Sequence, residues 1–334
     1  MKNVVLILIS FIFLNNSLIK AQEVIVEKNF SGIQWNDEKP PDPEIAAGPN
    51  HIVLTVNNKI EIYNKDGGNV IQKTLLSWFS TISPPGDPFD PRVIYDHLNS
   101  RWVVFALSRP SGLFSPSNYL ISVSQSSDPT ASWYYYKFDA KKNNGTSTYN
   151  HADYTGLGYD GEAIYITSNQ IYDYGEFQYA KIKAIKKSDI YSGQTNPANR
   201  DFINMHNENG SSVESIQPVH QFGSSSKFYL MNSATGSSAN FVTIWSVTDP
   251  FGSNPTLTRE RTLDIGSYHS PDDAVQKNSS VRIEIDDFRK AAISNCVFRD
   301  GFLYGCFCII HNFYWESLFF IRCIFYDLHF FNSY

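Results

Sequence analysis

The chain has 334 residues, 42% hydrophobic and 18% charged, and its 24 Phe, 20 Tyr and 6 Trp exclude a solvated, disordered polymer. With 27 basic against 33 acidic side chains the net charge is −6, which excludes the basic surface that tracks a nucleic-acid backbone. A folded, mildly acidic protein with no nucleic-acid partner is expected.

Residues 1–21 have the pattern of an export signal: Lys2 is a short positive lead, Val4 to Leu14 is an apolar run, and cleavage is expected near Ala21. That run is too short to cross a bilayer, and the polar Asn15, Asn16 and Ser17 end it, so no membrane span is expected after signal removal. The mature chain is expected to be secreted or at the cell surface, with residues 22–39 as a lead-in.

From residue 40 onward short apolar runs alternate with Gly, Pro, Asn, Asp and Ser clusters, and no stretch keeps a helical apolar period for three turns. One unit recurs five times: polar turn, apolar strand, polar turn, alternating strand. Its apolar strands are Ile52–Val56, Trp102–Leu107, Ala163–Thr167, Phe228–Met231 and Phe302–Tyr304. The first four are followed by Lys59–Tyr63, Tyr119–Ser124, Tyr179–Ile185 and Phe241–Val247. Measured from His51, Arg101, Glu162, Lys227 and Gly301, the steps are 50, 61, 65 and 74 residues. A period of this size predicts an all-β fold, a β-propeller of about five four-stranded blades over residues 40–307, in preference to a two-sheet sandwich. Trp102–Leu107 and Ala163–Thr167 read as crowded inner strands, and Thr256–Arg261 as a polar outer edge.

The tail, residues 308–334, breaks this texture. From Phe302 to Tyr334, 13 of 33 residues are aromatic, with neither strand alternation nor a helical face, and a shifted reading frame there would leave the last blade incomplete. The tail after Phe307 reads either as native sequence or as a shifted frame. Cys296, Cys306, Cys308 and Cys323 lack the spacing of a zinc site and are assigned no metal.

Several residues suit structural roles: Gly48 as a turn residue with a permissive φ, Asp96 to pair with Arg101 across a hairpin, and Trp102 to pack between blades. Asp42, Asp87 and Asp153 are the catalytic candidates, placed on loops of one rim and converging on the central channel. Carboxylates there would divide the tasks of base or nucleophile and proton donor. No cofactor is expected. Ca2+ is the ion these loops could hold, through Asp87 and Asp90 or through Asp286 and Asp287, although the spacing of a dedicated calcium loop is absent. The histidines are scattered singly, His151 beside Asp153 being the one local pairing, and no nucleophile elbow, P-loop or dinucleotide fingerprint occurs. Tyr172, Tyr174 and Tyr191 lie in polar loop contexts and are the ligand-binding candidates, because flat rings stack on sugars and peptide side chains.

The string Pro40-Pro-Asp-Pro-Glu-Ile-Ala-Ala-Gly-Pro-Asn-His51, with Gly86-Asp-Pro88, Val93-Ile-Tyr-Asp96, Arg101-Trp102 and Ser124-Gln-Ser-Ser-Asp-Pro129, resembles a group of secreted bacterial β-propeller proteins. Members carry PPD…GPNH and GDP…YD…RW motifs, and many are similar to cargo of the type IX secretion pathway. The likeness covers roughly residues 40 to 305 and departs at Asp90-Pro91 and after Phe307. It implies a fold and a compartment, and no reaction.

The expected function on these grounds is a non-catalytic binding module for an extracellular glycan or protein. The alternatives are a propeller-type glycoside hydrolase or lyase using loop carboxylates, and a structural module of a cell-surface assembly.

Overall fold

The computed structural model describes residues 28–34, 40–223, 225–234 and 239–268, and short strands at 274–275, 282–283, 297–299, 302–309 and 322–328. The expected export signal and Asp286-Asp287 lie outside the described residues.

Four antiparallel four-stranded meanders follow one another along the chain. Blade one is β1 (Glu44–Ala47), β2 (His51–Val56), β3 (Lys59–Asn64) and β4 (Asn69–Thr74). Helix α1 (Leu75–Trp78), capped by the Thr74 hydroxyl accepting from the Ser77 amide, and a 3-10 turn (Ser80–Ile82) lead on to blade two. Blade two is β5 (Pro88–Asp96), β6 (Arg101–Ser108), β7 (Asn118–Ser124) and β8 (Trp133–Asp139). After the hairpin β9 (Lys142–Asn143) and β10 (Thr146–Ser147) comes blade three: β11 (Asn150–Tyr159), β12 (Ala163–Tyr172), β13 (Phe177–Lys186), helix α2 (Lys187–Tyr191) and β14 (Asn199–Phe202). Blade four takes β15 (Gln217–Pro218), β17 (Phe228–Ser233), β18 (Ala239–Thr248) and β19 (Thr256–Tyr268), with β16 (His220–Gln221) set between the first two in sequence. A small hairpin, β20 (Ala274–Val275) and β21 (Arg282–Ile283), precedes β22 (Val297–Arg299), β23 (Phe302–Ile309) and β24 (Arg322–Leu328). The fifth sheet has the order β16-β22-β23-β24, so its first strand is the continuation of blade four's own inner strand, paired in parallel with β22.

The all-β propeller read from the repeat is the observed fold, with one correction to the blade interior. The innermost strands are β1, β5, β11 and β15, which lie side by side around the axis. The dense apolar segments Trp102–Leu107 and Ala163–Thr167 belong to the second strands, β6 and β12. They are dense because a second strand has a neighbouring blade on each face. Along β6, Trp102, Val104 and Ala106 enter the core shared with blade one, while Val103, Phe105 and Leu107 enter the core shared with blade three. Along β12, Ile164 and Ile166 face blade two, and Ala163 and Tyr165 face blade four, where Tyr165 stacks on Phe228 at 3.8 Å. The innermost strands are narrower: a Cβ on Gly158 would lie 2.5 Å from Pro218 and 3.0 Å from Phe228. The edge strand β19 is, as expected, largely half-buried or exposed.

Two local expectations change. Asp96 and Arg101 are register partners, yet the fully buried Asp96 carboxylate accepts from the Leu98 and Asn99 amides, the Tyr191 hydroxyl and the Lys187 ammonium. Arg101 instead donates to the Asn99 and Ser100 carbonyls. A buried carboxylate takes the donors that are buried with it, and Arg101 reaches solvent. Gly48 is required for space rather than for its φ, because a Cβ there would lie 2.4 Å from Trp102 Cζ2.

Trp102 is fully buried, meets Tyr95 at 4.8 Å and donates its indole N–H to the Ser127 carbonyl. Trp102→Ala is expected to cost about 3–5 kcal/mol in urea unfolding. Gly48→Ala should destabilise the parent and cost little in the Trp102→Ala background. Equal penalties in both backgrounds would show that the two residues do not share this contact.

Candidate functional site

The inner strands all begin at one face of the ring, and their starts share an unusual backbone. Asp42, Asp90, Tyr154 and Ser215 have φ of 42, 48, 50 and 51°, the left-handed region, and each stands two residues ahead of Glu44, Arg92, Gly156 and Gln217 respectively. At blades two and three the strand pairing is bulged at this point, between Phe89 and Arg92 and between Asp153 and Gly156. Left-handed non-glycine residues cost of order 1–3 kcal/mol each, and bulges re-aim side chains, so this rim is a place where strain and orientation are concentrated.

The rim is tied together across blades. Asn57, in the β2–β3 turn, donates through Nδ2 to Asp42 Oδ2 at 2.6 Å and to the Pro40 carbonyl at 2.8 Å. Its Oδ1 accepts the Asp90 amide at 2.7 Å. Arg92 forms an ion pair with Glu44 of blade one and donates through Nε to the Thr155 carbonyl of blade three at 3.1 Å. Burial draws the Arg92 guanidinium below its ordinary range while the nearby Asp42 charge opposes that shift.

Of the predicted carboxylates, Asp42 is thus fixed directly and joined to Asp90 through Asn57. Asp87 is exposed, one residue before β5, behind Gly86, whose Cβ would lie 2.6 Å from the Pro110 nitrogen. Asp153 sits within β11 rather than on a loop, half-buried, accepting the Tyr154 amide at 2.9 Å. All three occupy the same end of the inner strands, although among the described residues no hydrogen bond or ion pair joins Asp87 or Asp153 to Asp42. Among the described residues no three His, Cys, Asp or Glu side chains stand together as a set that could hold a metal ion.

A second cluster was not legible in the sequence. Asp173, in the β12–β13 turn with its side chain fully buried, accepts from Lys141 at 2.8 Å, His151 Nδ1 at 3.0 Å and Arg109 at 3.2 Å. The partners lie 32, 22 and 64 residues away in sequence, so no local spacing announces them. Tyr172 and Tyr174 flank this aspartate, on the rim. Tyr191 does not: it lies on α2 at the opposite end of the blades, where its ring packs against the core between blades two and three and its hydroxyl bonds Asp96 at 2.8 Å. Asn57, Arg92 and Glu44 were also missed, although the repeated Asp-Pro at 42–43 and 90–91 was a usable signal.

No protein-family model and no curated protein matches the chain. Solved structures similar to it include an exo-1,5-α-L-arabinanase from a bovine ruminal metagenomic library, 12% identical with a TM-score of 0.40 over 80% of this chain and 86% of that one. An exo-β-1,3-galactanase from Phanerochaete chrysosporium is 15% identical, TM-score 0.39, over 67% of this chain and 49% of that one. The catalytic domain of an α-L-arabinofuranosidase from Coprinopsis cinerea is 12% identical, TM-score 0.38, over 72% of each chain. At these identities the likeness bears on the fold alone. All three are glycan-cleaving enzymes by name and none is a non-catalytic module, so the expected non-catalytic binding module is withdrawn. No helix among the described residues is long and apolar enough to cross a membrane.

The Asp173 cluster makes acid sensitivity a test of this architecture. Burial lowers the His151 pKa below its usual 6.5, with the Asp173 bond working against that shift. For Asp173, burial would raise the carboxyl, but the Lys141 and His151 bonds outweigh it and hold it below 3.8. Both groups bind protons more readily unfolded than folded, so their contribution is full above about pH 6.5 and is lost first as His151 charges, then as Asp173 protonates. The parent's melting temperature is expected to fall between pH 7 and 5, and less steeply in His151→Gln. Asp173→Asn should cost about 3 kcal/mol at pH 7, by leaving Lys141 and Arg109 facing each other. Parallel pH curves for parent and His151→Gln would remove His151 from this account.

Proposed function

We propose that the protein is an extracellular glycoside hydrolase of the propeller type, working at the rim where the inner strands begin. The observation that carries this reading is Asp42: its carboxylate is held through Oδ2 by Asn57, and among the described residues its other oxygen takes part in no hydrogen bond or ion pair. A carboxylate fixed on one oxygen is suited to act as base or nucleophile with the other. Asp153 and Asp87, at the same end of blades two and three, are the candidates for the proton-donating partner, since glycoside cleavage needs a second carboxyl across the scissile bond. Arg92, committed to Glu44 and Thr155, braces the mouth rather than binding substrate.

The rim's composition favours a hydrolase over a lyase. Asp42, Glu44, Asp87, Asp90, Asp153 and Glu214 stand at these strand starts with Arg92 as their cation, and a uronate substrate would bring further negative charge to them. Secretion is part of the proposal. It rests on the export pattern of residues 1–21 and on the resemblance of residues 40–305 to secreted propellers, with residues 40–307 taken as the catalytic body and 308–334 as a tail. Ca2+ at Asp87 and Asp90 is not needed for this chemistry.

The test is hydrolysis of a panel of neutral polysaccharides, followed by reducing-sugar release. Asp42→Asn is expected to lose at least about 100-fold in rate with an unchanged melting temperature. Activity retained in Asp42→Asn would overturn the assignment of that residue, and a parent inactive on every glycan of the panel would overturn the hydrolase reading.

A further inference from the structure

The same rim carries exposed aromatic rings that contribute nothing to the blade cores. Phe114, Tyr149 and Tyr174 are 45%, 68% and 64% exposed. They come from three separate loops: β6–β7, β10–β11 and β12–β13. Phe114 meets Tyr149 edge-on at 5.6 Å and Tyr174 edge-on at 5.7 Å, and Tyr172 leans on Tyr174 at 5.4 Å. Three loops have therefore placed their largest apolar side chains together in water, where burial would ordinarily be favoured.

The loops are held in this arrangement from below. Asp173, adjacent to both Tyr172 and Tyr174, takes Arg109 and Lys141. Lys141 also donates to the Ser115 carbonyl at 3.2 Å, and its ammonium lies 5.9 Å from the Phe114 ring centre. Phe114 itself is kept at φ 57°, a conformation that a bulky side chain adopts only when its surroundings impose it. The cations of this cluster are spent on Asp173 and on loop carbonyls, and the neighbouring strand starts carry a surplus of carboxylates. The patch is therefore apolar, rigid and set in acidic surroundings, which suits the faces of uncharged sugars and opposes a polyanion.

We propose that Phe114, Tyr149 and Tyr174 form a distal subsite for a neutral oligosaccharide whose other end reaches the carboxylates at the channel mouth. This inference rests on the hydrolase reading for what happens at that other end. Tyr149 and Asp153 are separated by four residues along the start of β11, about 13 Å at the rise of an extended strand. A single sugar does not span that distance, whereas a short oligosaccharide does. The subsite thus selects chain length: it adds affinity for long substrates and none for short ones.

Calorimetric titration with neutral arabino-, xylo-, galacto- and gluco-oligosaccharides, from dimer to hexamer, tests this on the parent, Tyr149→Ala and Tyr174→Ala. At least one series should bind the parent more tightly as it lengthens. Each variant should lose about tenfold on the hexamer, with little change on the dimer and an unchanged melting temperature. Equal losses at all lengths, no loss at any length, no binding of any series, or tighter binding of a uronic-acid hexamer would each overturn the proposal. So would a parent dimer in sedimentation that Tyr149→Ala turns into a monomer, which would mark the patch as a protein interface. Ring-dependent binding of long chains without cleavage would leave the subsite standing and remove the hydrolase reading; cleavage indifferent to both tyrosines would do the reverse.

Discussion

A sheet whose second strand is apolar on both faces is stable only between two other sheets. That constraint organises this molecule. Trp102, Val104 and Ala106 need blade one, and Val103, Phe105 and Leu107 need blade three, although all six lie on one strand. Each fully buried large side chain contributes roughly 1.5–3 kcal/mol. That gain exists only once the neighbour is in place, so a blade on its own would expose half of what stabilises it. The blades are cooperative for the same reason that their second strands are dense.

Stacking sheets face to face leaves the problem of their ends, where strand ladders finish and polar groups are carried into the interior. The structure answers with buried charge. At one end Asp96 holds Lys187 at 2.6 Å; towards the other, Asp201 holds Lys183 at 2.8 Å, and Asp173 gathers Lys141, Arg109 and the His151 imidazole. Lys181 is the exception that shows the rule: almost fully buried, it makes no ion pair among the described residues and donates to the Ala140 and Lys142 carbonyls and to Asn143 Oδ1. Burial lowers its pKa to about 7, with the Asp201 charge resisting. Its ammonium fastens the β9–β10 hairpin against blade three, next to the rim loops.

What the sequence disclosed divides along the same line. Strands whose neighbours are supplied by sequence-adjacent hairpins, such as Trp102–Leu107 with Tyr119–Ser124, were legible because an apolar run bounded by turn residues is a local signal. Which strand is innermost was not legible, because apolar density marks a strand with sheets on both faces, and in a propeller that is the second strand. Asp42 and Asp153 stood out as carboxylates in turn-rich segments, and Trp102 as a blade anchor. Asn57, Arg92 and the Asp173 cluster did not, since their partners come from other blades. Tyr191 was misleading because a tyrosine among polar residues looks solvent-facing until α2 turns its ring inward and Asp96 takes its hydroxyl.

The left-handed strand starts separate what belongs to the scaffold from what belongs to chemistry. In blade two the strained amide of Asp90 is received by Asn57 of the preceding blade at 2.7 Å. In blade four the strained amide of Ser215 is received by Asn169 of the preceding blade at 2.8 Å, and the Asn169 amide donates to the Ser215 hydroxyl at 3.2 Å. One device therefore recurs: an asparagine on one blade satisfies the backbone of the next where its inner strand turns toward the axis. Because it recurs where the strained residue is a serine, the strain is a property of how blades join and is no catalytic signal by itself. What changes from blade to blade is the side chain this backbone presents: aspartate in blades one and two, tyrosine in three, serine in four. The scaffold supplies the same aimed position repeatedly; aspartates occupy it in the first two copies, and Asp153 and Glu214 stand one residue ahead of it in the third and fourth. A site built this way is asymmetric on a pseudo-symmetric frame, which is the arrangement needed when two carboxyl groups must face one bond from different sides.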